Sequence, residues 1–284
     1  MDPLLLVTQA YGREEVRTQA LHAAWTALAW ADGLPLKIVI YSDEPEAFAQ
    51  LDGRASVRRV TPHEIRAWRG PHNFVHRFKI EMISDAVAAN DVERILYFDA
   101  DVAFKAPLAN LVSRIGPWRS VLHVREFDIL AHRTRQMRRF RRHMRRLSHA
   151  NEPLDLAHTM WNAGVIGLDR HEFPLLAEWR DLVDEVYAQW PYWTHEQWAL
   201  SYLLERATTV APADDVVLHY WGQKDLALPQ VRELVGTLGT CSPGEALEHV
   251  LRSPLRLPPP HKRSLLEKQI DKVRKLLGLP KRVR

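Results

Sequence analysis

Arg94-Ile95-Leu96-Tyr97-Phe98-Asp99-Ala100-Asp101-Val102 is the segment that decides how this chain reads. Ile95 to Phe98 is too apolar for a half-exposed strand, so it reads as a buried one. It ends on two carboxylates one residue apart. If the extended conformation continues, alternation turns Asp99 and Asp101 to the same side. Both can then reach one hard divalent cation of the Mg²⁺ or Mn²⁺ kind. A second reading makes the two acids simple turn residues, since Asp favours turns. The spacing alone does not separate these readings, because Asp-x-Asp is common by chance.

Upstream, the pattern alternates. Leu4-Leu5-Leu6-Val7 is a buried strand, and Glu14 to Ala31 is a helix with Val16, Ala20, Ala23, Ala24, Ala27 and Leu28 on one face. Gly33 and Pro35 end it. Ile38 to Tyr41 is a second strand and Val57 to Val60 a third. Arg77 to Ala89 is a helix with Ile80, Ile83, Ala86 and Val87 at helical spacing. Continuous apolar strands separated by helices predict an α/β fold with a largely parallel sheet covered on both faces. Ligands bind beyond the carboxyl ends of such strands, where Asp99 and Asp101 stand.

Downstream, the pattern is less regular. Val121 to Val124 reads as a strand, Leu130 to Leu147 as a basic helix, and Trp161 to Leu168 as a short strand with two glycines. Pro174 to Trp190 and Thr194 to Arg206 read as helices, and Val216 to Leu218 as a last strand. After about Ser242 the chain becomes rich in proline. Pro258-Pro259-Pro260 reads as a linker, and Ser264 to Leu277 as a basic amphipathic helix.

The totals narrow the class. The chain has 284 residues, 46% hydrophobic and 26% charged, which is ordinary for a globular protein. One cysteine, Cys241, excludes an intramolecular disulfide framework and a cysteine-only zinc site. A reducing cytoplasm fits best. No apolar run is long enough to span a membrane, and Met1 to Ala10 lacks the features of a signal peptide. The net charge of +4 conceals two basic clumps, Arg133 to Arg146 and His261 to Arg284. Anionic partners suit both: a phosphorylated acceptor, an acidic glycan, a lipid surface or nucleic acid.

Several stretches in order then carry a resemblance. They are Phe74-Val75-His76-Arg77-Phe78-Lys79, Ile95 to Asp101, Trp161-Asn162-Ala163-Gly164-Val165, His195-Glu196-Gln197-Trp198-Ala199-Leu200, and Val217-Leu218-His219-Tyr220-Trp221-Gly222-Gln223-Lys224. Over roughly residues 1–225 the chain resembles the GT-A glycosyltransferases, and within them the family-eight type that includes bacterial galactosyltransferases and glycogenin. The resemblance implies a Rossmann-like nucleotide-diphospho-sugar transferase fold. It implies Asp99, Asp101 and His219 as ligands of Mn²⁺ or Mg²⁺, and a nucleotide-sugar donor with UDP-sugar favoured. Lys224 would meet the diphosphate, and Arg77 would sit near the sugar or diphosphate. Asn162 and Gly164 would line the sugar pocket. Thr8, Gln9 and Tyr11 would hold the nucleoside, with Ala100 and Gly222 also among the donor-binding residues. Glu196 and Gln197 would face the reacting sugar. Two departures stand out. The family's Asp-Gln-Asp is here Glu196-Gln197-Trp198, and Thr8-Gln9-Ala10 lacks the acidic residues usual after the first strand.

Plainer readings stand beside these. His219 can be a core histidine, Asn162-Ala163-Gly164 an ordinary turn, and Lys224 a solvated charge. Thr194-x-x-Gln197 matches a capping box, which would occupy the Gln197 side chain. Most of Trp161, Trp190, Trp193, Trp198 and Trp221 belong in the core, with one or two free to stack on acceptor sugars. The arginine-rich stretch is too dense for a casual solvated face.

The resulting expectation is a catalytic domain over 1–241 and a linker with a basic tail over 242–284. The expected reaction moves a sugar to a hydroxyl of a glycan or glycolipid, in cell-surface polysaccharide or lipopolysaccharide synthesis, with retaining chemistry implied by the resemblance. If the enzyme inverts, Glu126, Asp128 or Glu196 is the base. The expected location is cytoplasmic, peripheral on the inner face of the cell membrane through the tail. No nucleic-acid partner is expected. A nucleotidylyltransferase would want a glycine-rich, arginine-bearing loop where Thr8 to Gly12 stands, and an Asp-nucleophile phosphatase a hydroxyl where Ala103 stands. An anion-binding or membrane-surface protein would keep its function in Asp99→Ala.

Overall fold

The computed structural model describes residues 3–51, 53–149 and 152–259. The first half follows the apolar runs: β1 (Leu4–Ala10), α1 (Glu14–Ala29), β2 (Leu36–Ser42), β3 (Ser56–Arg59), α2 (Pro62–Trp68), α3 (Arg77–Ala89) and β4 (Arg94–Phe98). Then come β5 (Val102–Phe104), α4 (Ala109–Val112), β6 (Arg119–Leu122), β7 (Arg125–Asp128) and α5 (Arg135–Met144). A small hairpin, β8 (Ser148–His149) with β9 (Glu152–Pro153), precedes β10 (Thr159–Trp161) and β11 (Val165–Asp169). The rest is α6 (Leu175–Gln189), α7 (His195–Ala207), β12 (Thr209–Pro212), β13 (Val217–His219), α8 (Lys224–Leu238) and α9 (Pro243–Arg252).

Seven strands form the central sheet in the order β12-β6-β11-β4-β1-β2-β3. β1 pairs in parallel with β2 and β4, β2 with β3, and β6 with β12. Only β11 runs against its neighbours β4 and β6. This is the mostly parallel α/β sheet the strand pattern predicts. Both faces are covered. Leu5, Val7, Ile95 and Tyr97 pack with α3, α6 and α7, while Leu4, Leu6, Leu96 and Phe98 pack with α1, α8 and α9. Strand alternation produces that division, and burial on both sides is why the strands read as unbroken apolar runs.

Several local expectations change. The Trp161–Leu168 segment is two strands, β10 and β11, separated by a turn at 162–164. The basic helix begins at Arg135 because Thr134 caps it, its hydroxyl accepting from Met137 N–H at 3.2 Å. The sequence pattern gives no helix after Lys224, yet α8 forms with Pro229 inside it. The stretch read as linker opens with α9, capped by a Ser242–Glu245 capping box and packed through Ala246 and Val250. Leu255 and Leu257 then pack against Tyr220, Ala227 and Val231. The basic helix expected over Ser264 to Leu277 lies outside the described residues, as does any lipid contact it makes. Among the described residues no helix is long and apolar enough to cross a membrane.

Candidate active site

β4 stops at Phe98, and Asp99 to Asp101 pass through a turn. Continued extension is therefore not what gathers the two carboxylates. Two later segments do it. The Gly164 carbonyl accepts from Asp99 N–H at 2.8 Å as the chain enters β11 beside β4. The β5–β13 ribbon sets His219 opposite Val102, and Tyr220 N–H donates to the Asp101 carbonyl at 3.1 Å. One ligand atom from each of Asp99, Asp101 and His219 then lies within 4.8 Å of the others. His219 Nε2 is 3.4 Å from Asp101 Oδ1 and 3.8 Å from Asp99 Oδ2. Lys224 Nζ is 2.8 Å from Asp101 Oδ2.

Neighbouring charge acts on Asp101. Burial pushes the Asp101 carboxyl up, but His219 and Lys224 outweigh it and hold the group well below the usual carboxylate range. Lys79 is a buried residue of the cavity lining. Its ammonium lies 2.9 Å from Glu196 Oε1 and 3.4 Å from Asp99 Oδ1, and donates to the Ala163 carbonyl at 3.0 Å. Burial opposes the charge on Lys79, yet Asp99 and Glu196 raise its pKa above the ordinary lysine value. The Tyr97 hydroxyl donates to Asp99 and accepts from Gln9 Nε2 at 3.2 Å. Burial first, and then the Asp99 charge, push the Tyr97 hydroxyl far above its ordinary pKa, so it stays a donor.

A second chain of contacts orients His219. Asn162 Oδ1 accepts from Gly164 N–H at 3.0 Å and faces His219 Nδ1 at 3.0 Å. That assigns the ring proton to Nδ1 and turns the Nε2 lone pair toward the acidic pair. Asn162 Nδ2 donates to Glu126 Oε1 at 3.2 Å, and Gln197 Nε2 donates to Glu126 Oε2 at 3.0 Å. Gly164 is required for close approach, because a Cβ built there would overlap the His219 ring. Buried His123 packs edge-on against His219 at 5.1 Å. Burial, and then the neighbouring His219, lower the pKa of His123 to about 4.

These groups line a cavity of about 550 Å³ at the carboxyl ends of β1 and β4. Of the residues singled out in the sequence, Gln9, Asp99, Ala100, Asp101, Asn162 and Gly164 line it. So do Glu196, Gln197, His219 and Lys224. Others do not. Arg77 points elsewhere: it pairs with Asp184 at 2.7 Å and Glu81 at 2.9 Å and donates to the Trp68 carbonyl at 3.0 Å. It fastens α3 to α6 instead of reaching a donor. Thr8 is fully buried, and Tyr11 packs on Phe78 at 4.4 Å with the Arg69 guanidinium 5.6 Å from its ring. Gly222 lies between the lining residues Trp221 and Lys224 without lining the cavity itself. The capping box at Thr194 does not form. Thr194 has φ −98° and ψ 10°, not the extended backbone a cap needs, and it makes no side-chain cap bond. Gln197 is thereby released to the cavity.

The sequence reading gave Lys79 no role. Its signal was available: Lys79 shares a helical face with buried Met82, Ile83 and Ala86, an odd place for a charge. Trp193 and Trp221 belong to the cavity rim and are 62% and 59% exposed, whereas Trp198 is fully buried.

No family model matches the chain, and no curated protein matches it in sequence. Among solved structures it is similar to a galactosyltransferase, LgtC, in complex with donor and acceptor sugar analogues. The two share 16% identity over 86% of this chain and 99% of that one, with a TM-score of 0.56. This chain has a GT-A fold. In a GT-A fold built this way, the cavity lies where the parallel strands end, and the turn that enters antiparallel β11 carries Asn162 and Gly164 past the end of β4.

Proposed function

We propose that this chain is a metal-dependent glycosyltransferase, moving a sugar from a nucleotide-sugar, UDP-sugar favoured, to a hydroxyl of a glycan or glycolipid. The observation that carries the reading is the convergence of Asp99, Asp101 and His219 in a cavity that also holds Lys224. Two carboxylates and one imidazole presented through Nε2 fit Mn²⁺ or Mg²⁺. A bound cation would supply charge neutralisation to a departing nucleoside diphosphate.

The chain's own groups do the rest. Lys224 opens α8, so its ammonium and the first N–H groups of that helix meet the diphosphate from one side. Gln9 and Tyr97 fix Asp99 from behind. Gln197 is held through Nε2, which leaves the negative end of its carbonyl dipole for positive charge developing at the anomeric carbon. Lys79 pairs with Glu196, which lines the cavity as an acceptor for sugar hydroxyls. This arrangement suits retaining chemistry, with the acceptor hydroxyl attacking from the leaving-group face. An inverting enzyme needs a carboxylate base, and of the three candidates Glu126 and Glu196 line the cavity while Asp128 does not. The anomeric configuration of the product, read by proton NMR, separates the two. The basic tail in the sequence supports a peripheral position at the inner membrane face, in cell-surface polysaccharide or lipopolysaccharide synthesis.

The test is a thermal-shift panel of UDP, GDP, CMP and TDP, each with Mn²⁺ and again with EDTA. A ligand at 100-fold its dissociation constant adds about 2.7 kcal/mol. The expected outcome is a shift with UDP that EDTA and Asp101→Ala both abolish. No shift with any nucleotide under either condition sinks the reading.

A further inference from the structure

Among the described residues, helix α5 gathers the densest run of arginines. Met137, Phe140 and Met144 face the core, and Arg135, Arg138, Arg139, Arg142 and Arg145 are exposed. Elsewhere, Arg17, Arg58, Arg77, Arg114 and Arg170 each hold a carboxylate. Among the described residues, no arginine between 133 and 146 forms an ion pair. Arg141 is spent on structure, donating to the Ile129 and His132 carbonyls at 2.6 and 2.8 Å. Arg138 donates to the Arg133 carbonyl at 2.6 Å and Arg139 lies 5.9 Å from the Trp190 ring centroid, contacts that neutralise no charge, so the exposed arginines repel one another at i,i+3 and i,i+4 spacing. Nothing in the fold needs that repulsion.

The position of α5 gives the charge a use. Phe140 packs against Trp190, Tyr192, His195 and Trp198 at centroid distances of 6.0 to 6.1 Å. The Gln136 amide donates to the Tyr192 hydroxyl. The next residue, Trp193, is the exposed indole on the cavity rim. From the other side, cavity-lining Phe127 touches His132 at 4.3 Å, just before the helix. α5 is therefore built onto the wall that Glu126, Phe127 and Trp193 form. The metal-ligand cluster and Lys224 line the same cavity.

We propose that the acceptor is an anionic glycan, bearing phosphate or carboxylate groups, which lays a sugar face on Trp193 and its charges along the arginine face of α5. The inference rests on the glycosyltransferase reading. A helix of this length presents about 15 Å of charge, enough for several sugar units. Guanidinium forks match phosphate and carboxylate oxygens in pairs, which a lysine face would not. The exposed face of α5 carries no apolar side chain to insert into lipid, so a membrane-embedded helix does not fit it.

The experiment compares the full chain with a variant carrying Arg135→Gln, Arg138→Gln, Arg142→Gln and Arg145→Gln, and with Trp193→Ala. Binding is measured to phosphomannan, polygalacturonate, neutral dextran, and phosphatidylglycerol–phosphatidylcholine vesicles. The expected result is tight binding of one anionic glycan, weak binding of dextran, and a loss of about tenfold or more in the α5 variant, falling steeply with salt. Trp193→Ala weakens the same glycan. The UDP–Mn²⁺ thermal shift of the α5 variant equals that of the parent, which also shows that it folds. Equal glycan binding by parent and α5 variant overturns the inference, and so does a preference for the vesicles. If the nucleotide shift is absent in the parent while arginine-dependent glycan binding persists, the transferase reading fails and the glycan surface stands without the acceptor role.

Discussion

The cavity and helix α5 both concentrate charge, and they balance it differently. In the cavity the buried charges are held inside the protein: Lys79 stands between Asp99 and Glu196, Asp101 pairs with Lys224, and Glu126 accepts from the Asn162 and Gln197 amides. On α5 the arginines meet no carboxylate among the described residues. Internal pairing fixes geometry in advance, which a site that must stabilise developing charge requires. Unpaired charge on a rigid helix does the reverse and leaves the balance to a partner. The difference predicts opposite behaviour on mutation.

The largest effect belongs to Lys79. Lys79→Met strands two carboxylates, and Glu196 is 4% exposed. Breaking one side of such a buried arrangement costs about 3–5 kcal/mol, measured by urea unfolding. Lys79→Met combined with Glu196→Gln recovers part of that stability while transfer remains lost. The pH dependence has a definite sign. The folded pKa of Lys79 is raised, so its contribution is complete below the unfolded lysine value and is lost as pH rises through the folded one. The part of the stability gap between parent and Lys79→Met that this pairing supplies should therefore hold at neutral pH and be lost in strong alkali, and it should also narrow in acid once Asp99 and Glu196 take up protons. A gap independent of pH at both ends would contradict the pairing.

Asp101→Asn comes next. Transfer should fall by about 10²- to 10³-fold, with Mn²⁺ no longer shifting the melt in the presence of UDP. Gly164→Ala is a smaller and more pointed probe. It touches no charge, but its Cβ displaces the His219 ring from the acidic pair. Metal affinity should drop by about 10- to 100-fold, read by titrating Mn²⁺ against the UDP-dependent shift, while circular dichroism stays that of the parent. Unchanged affinity would mean that His219 has room to move and still ligate.

How much of this was visible in the sequence depends on how local the signal was. The parallel strands were legible because burial on both faces leaves unbroken apolar runs, and Asp99 and Asp101 because they end one. Edge strand β12 carries Thr209 and Pro212, and α8 contains Pro229; neither shows a clean period. Arg77 and Lys79 show the harder case. Residues two positions apart on a helix, as Arg77 and Lys79 are, point about 200° apart. Arg77 therefore turns to Asp184 on α6 while Lys79 turns to Asp99 and Glu196. Only the rotational phase of α3 decides which cation reaches the site, and that phase is set by packing against the sheet. Gln197 likewise depended on the backbone of Thr194, which no residue type dictates.

The smallest effect is expected on α5, and its sign is what matters. Surface substitutions away from specific contacts usually move stability by no more than about 0.5 kcal/mol. Here the fourfold arginine-to-glutamine variant removes repulsion without breaking an ion pair, so its melting temperature in the absence of glycan should match or slightly exceed the parent's. The advantage should shrink as salt screens the parent's arginines. Added anionic glycan should reverse the order, stabilising the parent more than the variant, because a ligand that binds only the folded state raises its stability by mass action. A variant less stable than the parent without glycan would mean that the arginines hold α5 in place after all. The contrast with the internally paired cavity would then disappear.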